Sequence, residues 1–241
     1  MDARTLRQRL HALADSEVAA HAQRFFKTGR GEYSEGDRFL GIRVPRVRAL
    51  AKEARGLPVE AMLPFLKSPW HEARLLALVM MADAYQRADR AGREAIARTT
   101  LAHTAHVNSW DLVDASAYKI LGPHVEATGD PGSGPGQALD LLDRLARSES
   151  LWERRIAIVS TFHFIRRGEY APTLVLAETL RDDPQDLIHK AVGWMLREVG
   201  KRDREVAEGF LRRHAPKMPR TMLRAAIERF PDALRQHYLR A

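Results

Sequence analysis

The amino-acid sequence predicts an all-α protein built from repeated pairs of helices. Apolar residues recur with helical spacing along most of the chain, and no convincing alternating β-strand pattern competes with them. Three tryptophans, Trp70, Trp110 and Trp152, lie 40 and 42 residues apart. This period is typical of HEAT-like repeats, which stack into a curved solenoid. We therefore expect one HEAT-like domain over residues 1–241, an α-α superhelix with a concave basic face.

In the first half of the chain, helical segments alternate with short breaks at glycine, proline and serine. Apolar residues at i, i+3, i+4 and i+7 predict helices over 6–26, 45–55, 58–66, 71–85 and 111–121. Gly56 and Pro58 separate the second helix from the third, and the pair Ser68-Pro69 ends the third. The result is a series of paired helices of modest length.

The second half continues the same pattern. Helices are predicted over 137–146, 152–165, 171–180, 185–199, 204–214 and 219–230. Breaks fall at Arg167-Gly168, Asp183-Pro184 and Pro216. The run GDPGSGPG at 129–136 predicts a long loop inside one solenoid rather than a linker between domains, because the repeat continues on both sides of it.

Composition narrows the classes of partner and chemistry. The chain has 39 Lys and Arg against 31 Asp and Glu, a net charge of +8, which favours nucleic acid or an anionic membrane surface as partner. It has no cysteine, which excludes disulfides, thiolate nucleophiles and cysteine-ligated zinc. We expect neither an apolar leader nor a membrane-spanning run. We expect a soluble, cytoplasmic protein that associates with the nucleoid.

Five of the helix pairs can be aligned on their second helix, and one position of this alignment is charged in every repeat. We call this position the charged column. It holds Arg74, Asp114, Arg155, Lys190 and Arg224. Since neighbouring helices pack about 8–10 Å apart, the basic members would form a positive stripe that can follow a phosphate backbone. A solvated face, with the single acid as an ion-pair partner, is the simpler interpretation. The functional alternative is that the acid meets a positive charge on an otherwise anionic ligand.

Two tryptophans favour the functional interpretation. Trp110 lies one helical turn before Asp114, and Trp194 lies one turn after Lys190, so each shares a helix face with a member of the column. Trp70 and Trp152 are predicted to pack in the core. Indole rings beside a carboxylate suit a cationic group or the apolar face of a sugar. The bound nucleic acid would then carry, or develop, a positive charge at one nucleotide.

Other catalytic motifs are incomplete. HEARL at 71–75 resembles a zinc-protease helix, but Leu75 occupies the position of the second histidine. The ten histidines show no metal-ligand spacing, GSGPG lacks the lysine of a phosphate loop, and no G-x-S-x-G motif surrounds a serine. We therefore expect neither a metal nor a cofactor.

Four segments resemble the AlkD family of DNA alkylation-repair glycosylases, and the similarity extends over nearly the whole chain. They are FLGIRVPRVRALAKE (39–53), NSWDLVD (108–114), LWERRIAIVSTF (151–162) and IHKAVGWMLREVGK (188–201). The resemblance implies that Asp114 is the catalytic carboxylate and that Trp110 and Trp194 are the aromatic pair around the damaged nucleotide. It also implies that Arg155 contacts DNA near the site.

The same resemblance implies an activity. It is the metal-free hydrolysis of the N-glycosidic bond of N3- and N7-alkylated purines, such as 3-methyladenine and 7-methylguanine, in duplex DNA. The lesion would lie on a concave surface without a tight base pocket. We also expect a monomer, because a repeat protein that grips a duplex can work as one. Further DNA contacts are expected from basic residues of the column and of the segment near residue 45, namely Arg74, Lys190, Arg224, Arg43 and Arg46.

The N-terminal region departs from the family pattern. The loop 27–42 looks longer and more polar than the connection in the best-known members, and Phe25 stands where a DNA-facing tyrosine is expected. Such a change would weaken DNA capture; alternatively, the loop is an ordinary turn in which Glu35 or Asp37 caps a helix. The rival function is a non-catalytic repeat module that binds nucleic acid or protein. The combination of Trp110, Asp114, Arg155 and Trp194 favours the enzyme.

Overall fold

A computed structural model describes the backbone of residues 1–128 and 134–240 and the side chains of 1–128 and 139–240. Within these ranges the chain forms helices joined by short loops and no β-strand, and an isolated β-bridge pairs Arg38 with Trp70. The all-α prediction is confirmed. In the same ranges, no helix has both the length and the apolar character required to cross a membrane.

The helices group into two compact units, Met1–Ser116 and Ala117–Ala241. The single domain over 1–241 stays a prediction. The first unit contains six complete helices and the start of a seventh: α1 (Ala3–Ala12), α2 (Ser16–Phe25), α3 (Val44–Glu53), α4 (Val59–Leu66), α5 (His71–Arg87), α6 (Arg90–Ala102) and α7 (Trp110–Thr128). A short 3₁₀ helix, Thr104–His106, precedes α7.

Two aspartate caps explain where the first unit differs from the prediction. The segment 6–26 forms two helices, because the Asp15 side chain accepts hydrogen bonds from the amides of Glu17 and Val18 and begins α2. Asp89 caps the unpredicted α6 through the amide of Gly92. Polar residues interrupt the apolar pattern of α6, so periodicity alone does not reveal it.

Helix α5 is the centre of the first unit. It packs against α3 and α4, and Leu76, Leu78 and Met81 are fully buried in it. Each buried side chain of this size contributes about 1.5–3 kcal/mol relative to an exposed one. Because neighbours cover the start of α5, its polar residues His71, Glu72 and Arg74 also lie inside the protein and must find partners there.

The second unit holds the rest of α7 and the helices after it: α8 (Gly134–Ala146), α9 (Leu151–Ser160), α10 (Phe162–Ile165), α11 (Ala171–Thr179), α12 (Asp186–Gly200), α13 (Arg204–His214), α14 (Arg220–Ala226) and α15 (Asp232–Arg240). A 3₁₀ helix, Ala215–Lys217, follows α13. The helix predicted over 152–165 is two helices, and α15 was not predicted. Of the loop predicted at 129–136, residues 129–133 lie outside the described residues, and the remainder begins α8.

Helix α12 is the centre of the second unit and packs closely on α14. A Cβ atom at Gly193 would lie 2.6 Å from the Met222 carbonyl oxygen and 2.6 Å from Ala225 Cβ. A glycine is therefore required for this close approach of two backbones. The contact orients α12, and with it the side chains of Lys190 and Trp194.

Candidate active site

The first turn of α7 carries the central residues of the predicted site. Trp110 is its first residue and Asp111 its second, and an acidic group in this position is favoured by the helix dipole. Asp114 follows Trp110 by one turn on the same face of the helix. Both side chains are half-buried. Neither residue therefore lies wholly in the core or wholly in solvent.

Phenylalanine rings hold Trp110 in place. The Phe26 ring is stacked on the indole, with centroids 5.4 Å apart and planes at 17°. Phe25 contacts the indole edge-on at 6.1 Å and is itself 58% exposed. Phe25, which stands where a tyrosine was expected, is therefore a surface aromatic side chain beside Trp110.

Beneath these rings lie three buried charged residues, Asp37, His71 and Arg74, and the half-buried Asp111; we call the four residues the His71 network. His71 Nδ1 is 2.9 Å from Asp37 Oδ2, and His71 Nε2 is 2.8 Å from Asp111 Oδ2. Arg74 donates to Asp37 Oδ1 at 2.7 Å and to the Ser68 carbonyl oxygen at 3.0 Å. The network joins the loop 27–42, α5 and the first turn of α7.

The charges of this network stabilise one another. Burial disfavours the charged form of His71, but its hydrogen bonds to Asp111 and Asp37, together with their charges, raise its pKa to about 9. Burial likewise disfavours the carboxylate of Asp37, yet hydrogen bonding to His71 and the Arg74 charge hold the Asp37 pKa below its usual value. At neutral pH the network therefore contains an imidazolium ion.

The structure corrects the predictions for Arg74 and for the loop. Arg74 is 5% exposed, so its place in an exposed basic stripe is wrong: the loop 27–42 covers it through Asp37. Neither acid of the loop caps a helix as the simpler interpretation proposed. Asp37 pairs with His71 and Arg74, and the Glu35 side chain accepts a hydrogen bond from the Gly31 amide.

The first turn of α3 presents the other predicted basic residues of this unit. Arg43 and Arg46 are exposed, as is Arg48 in the next turn, and the first turn contains no acidic residue. Positive side chains are disfavoured by the dipole at a helix N-terminus, whereas a bound anion is favoured there. This arrangement suits a phosphate group, and DNA contact by Arg43 and Arg46 stays a prediction.

In the second unit, Trp194 belongs to an aromatic cluster that the sequence did not reveal. Its ring is tilted against Phe162 at 5.9 Å, and Phe162 contacts Tyr118 edge-on at 5.2 Å. The Arg202 guanidinium lies 5.7 Å from the Phe162 ring centre, and Lys119 Nζ lies 5.3 Å from that of Tyr118. The three rings come from separate segments, so no local motif links them. The sequence offered one indication of the cluster, which is that Tyr118 lies one helical turn after Asp114.

In the second unit, one residue of the charged column is buried and two are exposed. Arg155 is 5% exposed and donates a hydrogen bond of 2.6 Å to the Leu187 carbonyl oxygen, so its place on an exposed stripe is also wrong. Lys190 is exposed and pairs with Asp186 one turn earlier at 2.6 Å, and Arg224 is exposed on α14. Trp152 is half-buried rather than a core residue, as is Trp70 in the first unit.

The described residues contain no group of three His, Asp or Glu side chains arranged to hold a metal ion. Both nitrogens of His71, the histidine of the HEARL motif, already contact carboxylates. The first unit offers a half-buried carboxylate, aromatic rings and exposed arginines.

Comparison with known proteins identifies the family. The family model described as "DNA alkylation repair enzyme" matches residues 6–230. A solved structure of a predicted DNA alkylation repair enzyme from Enterococcus faecalis is similar, with a TM-score of 0.66 and 19% identity over 91% of this chain and 97% of that one. No curated protein matches the chain. The family match covers nearly the whole sequence, so this protein belongs to the DNA alkylation repair enzyme family.

Proposed function

We propose that this protein is a DNA glycosylase that releases positively charged N3- and N7-alkylated purines, such as 3-methyladenine and 7-methylguanine, from duplex DNA. Membership of a DNA alkylation repair family supports the general role. The finer proposal depends on one observation: Trp110 and Asp114 share a face of α7, both are half-buried, and the exposed Phe25 lies beside Trp110. These positions support a role for a carboxylate beside aromatic rings.

Alkylation prepares the base for departure. A methyl group on N3 or N7 makes the purine cationic, so the C1′–N bond breaks with both electrons moving to the base, which leaves as a neutral molecule. The positive charge then moves to the sugar, where C1′ and the ring oxygen share it. Because the leaving group is already activated, the protein does not need to protonate it.

Asp114 is proposed to act on this sugar. A carboxylate held beside C1′ stabilises the growing positive charge, and the effect is larger in a half-buried position than in water. The same group can orient the attacking water and accept its proton as the water oxygen bonds to C1′. The products are the neutral alkylated base and a deoxyribose that carries a hydroxyl at C1′.

Aromatic rings complete the proposed site. The Trp110 ring, held by Phe26, offers a π-face that attracts a cationic sugar, and Phe25 offers a further apolar surface. We propose that Trp194, at the half-buried cluster of the second unit, also contacts the damaged nucleotide. The exposed residues Lys190, Arg224, Arg43 and Arg46 are proposed to bind phosphates without reading sequence.

The test is release of 7-methylguanine from alkylated duplex DNA. Asp114→Asn should lower the rate by about 10²- to 10³-fold, the usual loss when one electrostatic group of an active site is removed. DNA affinity should stay equal or increase, because a charge of the same sign as the phosphates is gone. Asp140→Asn, the same change at an exposed residue of α8, is the control and should leave the rate unchanged.

A binding module without activity would behave differently. Wild-type protein that binds alkylated duplex yet releases no base would contradict the proposed activity and support the rival function. Equal rates for the wild type and Asp114→Asn would reject the role of Asp114.

A further inference from the structure

We propose that His71 is a positioning residue for the active site, held by the loop 27–42 and in turn holding the first turn of α7. This inference rests on the proposed function, because the first turn of α7 matters only if Trp110 and Asp114 act there. His71 itself is 2% exposed and packs inside the protein, so it does not touch DNA.

Two consecutive residues of α7 are held from different directions. Trp110 stacks on Phe26, while Asp111 accepts a hydrogen bond from His71 Nε2. Consecutive residues of an α-helix point about 100° apart, so the two contacts together restrict both rotation and displacement of the first turn. Asp114 is on the next turn and moves with it. A shift of the helix start is therefore a shift of the proposed catalytic carboxylate.

The protonated imidazole is essential to this connection. Only an imidazolium donates hydrogen bonds from both ring nitrogens, which the two carboxylates of Asp37 and Asp111 require. The rings of Phe26 and Phe39 pack on the imidazole at 4.9 and 4.6 Å, so the connection lies in apolar surroundings. A neutral His71 would keep one hydrogen bond and lose the other.

Four other charged groups surround His71 or flank it on α5, and most of them connect the loop 27–42 to α5. Asp37 faces it from the loop and Asp111 from α7, and Arg74 on its own helix is paired with Asp37. The Glu72 carboxylate accepts hydrogen bonds from the backbone amides of residues 40, 41 and 42, at 2.8, 2.8 and 3.1 Å. The loop is thus attached to α5 by Glu72 and Arg74 as well as by His71.

The end of the loop is equally specific. Gly41 has φ of 80°, and a Cβ atom there would lie 1.9 Å from the Asp15 carbonyl oxygen. The Asp15 amide also donates to the Leu40 carbonyl oxygen at 2.8 Å. A loop that closely packed is a structural support, so its departure from the family pattern does not by itself indicate lost activity.

The experiment compares three amide substitutions. His71→Gln removes the cation and one hydrogen bond, and Asp111→Asn weakens the connection to α7 while leaving His71 paired with Asp37. His163→Gln is the matched control, because His163 contacts Glu126 of α7 at 3.0 Å, far along the helix from its first turn. The substrate is duplex DNA containing 7-methylguanine, and release is measured in a single turnover with protein in excess.

We expect His71→Gln and Asp111→Asn to lower the rate of base release by about 100-fold, as small displacements of catalytic groups do. The Kd for undamaged duplex should change far less than the rate, because His71 is buried and does not touch DNA. The wild-type rate should fall as pH rises through about 9, where His71 loses its proton, and this fall should be absent in His71→Gln. His163→Gln should match the wild type in all three measurements.

Hydrogen exchange gives a readout that is independent of activity. The amides of Val113 and Asp114 should exchange faster in His71→Gln and Asp111→Asn but not in His163→Gln. If His71→Gln does not fold, the isosteric variant Asp111→Asn still tests whether the hydrogen bond to His71 holds the first turn of α7. Folded Asp111→Asn with wild-type rate and exchange would overturn the inference. Wild-type protein without base release would instead overturn the proposed function, and hydrogen exchange would still test whether His71 holds α7.

Discussion

Helices α5 and α12 each lie at the centre of a unit, yet they use the same column of charged residues in opposite ways. Arg74 of α5 is buried and pairs with Asp37, whereas Lys190 of α12 is 57% exposed and pairs with Asp186 on its own helix. The difference comes from the loop 27–42, which covers α5. Sequence alignment of repeats predicts the face on which a residue lies, but not whether another segment covers that face.

The buried and the exposed charged residues of the column therefore have different roles. The charges around α5 connect segments inside the first unit and support the start of α7. Exposed charges such as Lys190 and Arg224 can meet a ligand. Buried ion pairs are strongly coupled to folding, while exposed pairs contribute little to it, so stability measurements separate the two classes directly.

The free energy of unfolding should change most. Arg74→Ala leaves the buried Asp37 without its guanidinium partner and should lower the free energy of unfolding by about 3–5 kcal/mol. Lys190→Ala removes an exposed pair and should change it by less than about 1 kcal/mol. Urea denaturation of the two variants measures both values. Similar losses for the two would contradict the contrast between α5 and α12.

The pH dependence of stability should follow His71. Its pKa is raised from 6.5 to about 9 by folding, so the stabilisation is complete below 6.5 and is lost as pH rises through 9. The shift corresponds to about 3 kcal/mol of unfolding free energy. The pH dependence of the Asp37 contribution to stability has the opposite sign. This stabilisation is present above the ordinary pKa of Asp37 and is lost as pH falls through its lowered pKa. Urea denaturation at pH 6 and pH 10 tests the histidine effect, which should vanish in His71→Gln.

The smallest effect concerns DNA affinity. Lys190→Ala should reduce the slope of log K against log salt concentration by about 1, the contribution of one phosphate contact. Arg87→Ala is the control, since Arg87 forms the same kind of exposed pair with Asp83 on α5 and is not expected to contact DNA. Fluorescence anisotropy with undamaged duplex at several salt concentrations measures the slopes. An equal change in the two variants would indicate a general charge effect rather than a contact.

The sequence predicted most helices because their apolar periodicity is strong. It did not predict the break in the first segment or helix α6, since each depends on a single aspartate cap, at Asp15 and Asp89. The placement of Trp110 and Asp114 on one helix face followed from their spacing alone. Burial of Arg74 and Arg155 was not predictable, because covering segments lie elsewhere in the sequence.

The His71 network was missed for a related reason. Asp37 and Asp111 lie 34 and 40 residues from His71, so no local motif links them. Within the HEARL segment, the histidine suggested only an incomplete metal site. The loop 27–42 packs closely against α5 and brings these groups together, and this packing could not be predicted from the sequence.

In the proposed reaction Asp114 stabilises a positively charged sugar, so the protein should bind a cationic mimic of that sugar tightly. Two duplexes are compared, one with a protonated cyclic amine in place of a single deoxyribose and one with the neutral cyclic ether. Wild-type protein should bind the cationic duplex about tenfold or more tightly than the neutral one, and Asp114→Asn should lose this preference. An equal preference in both proteins would contradict the claim.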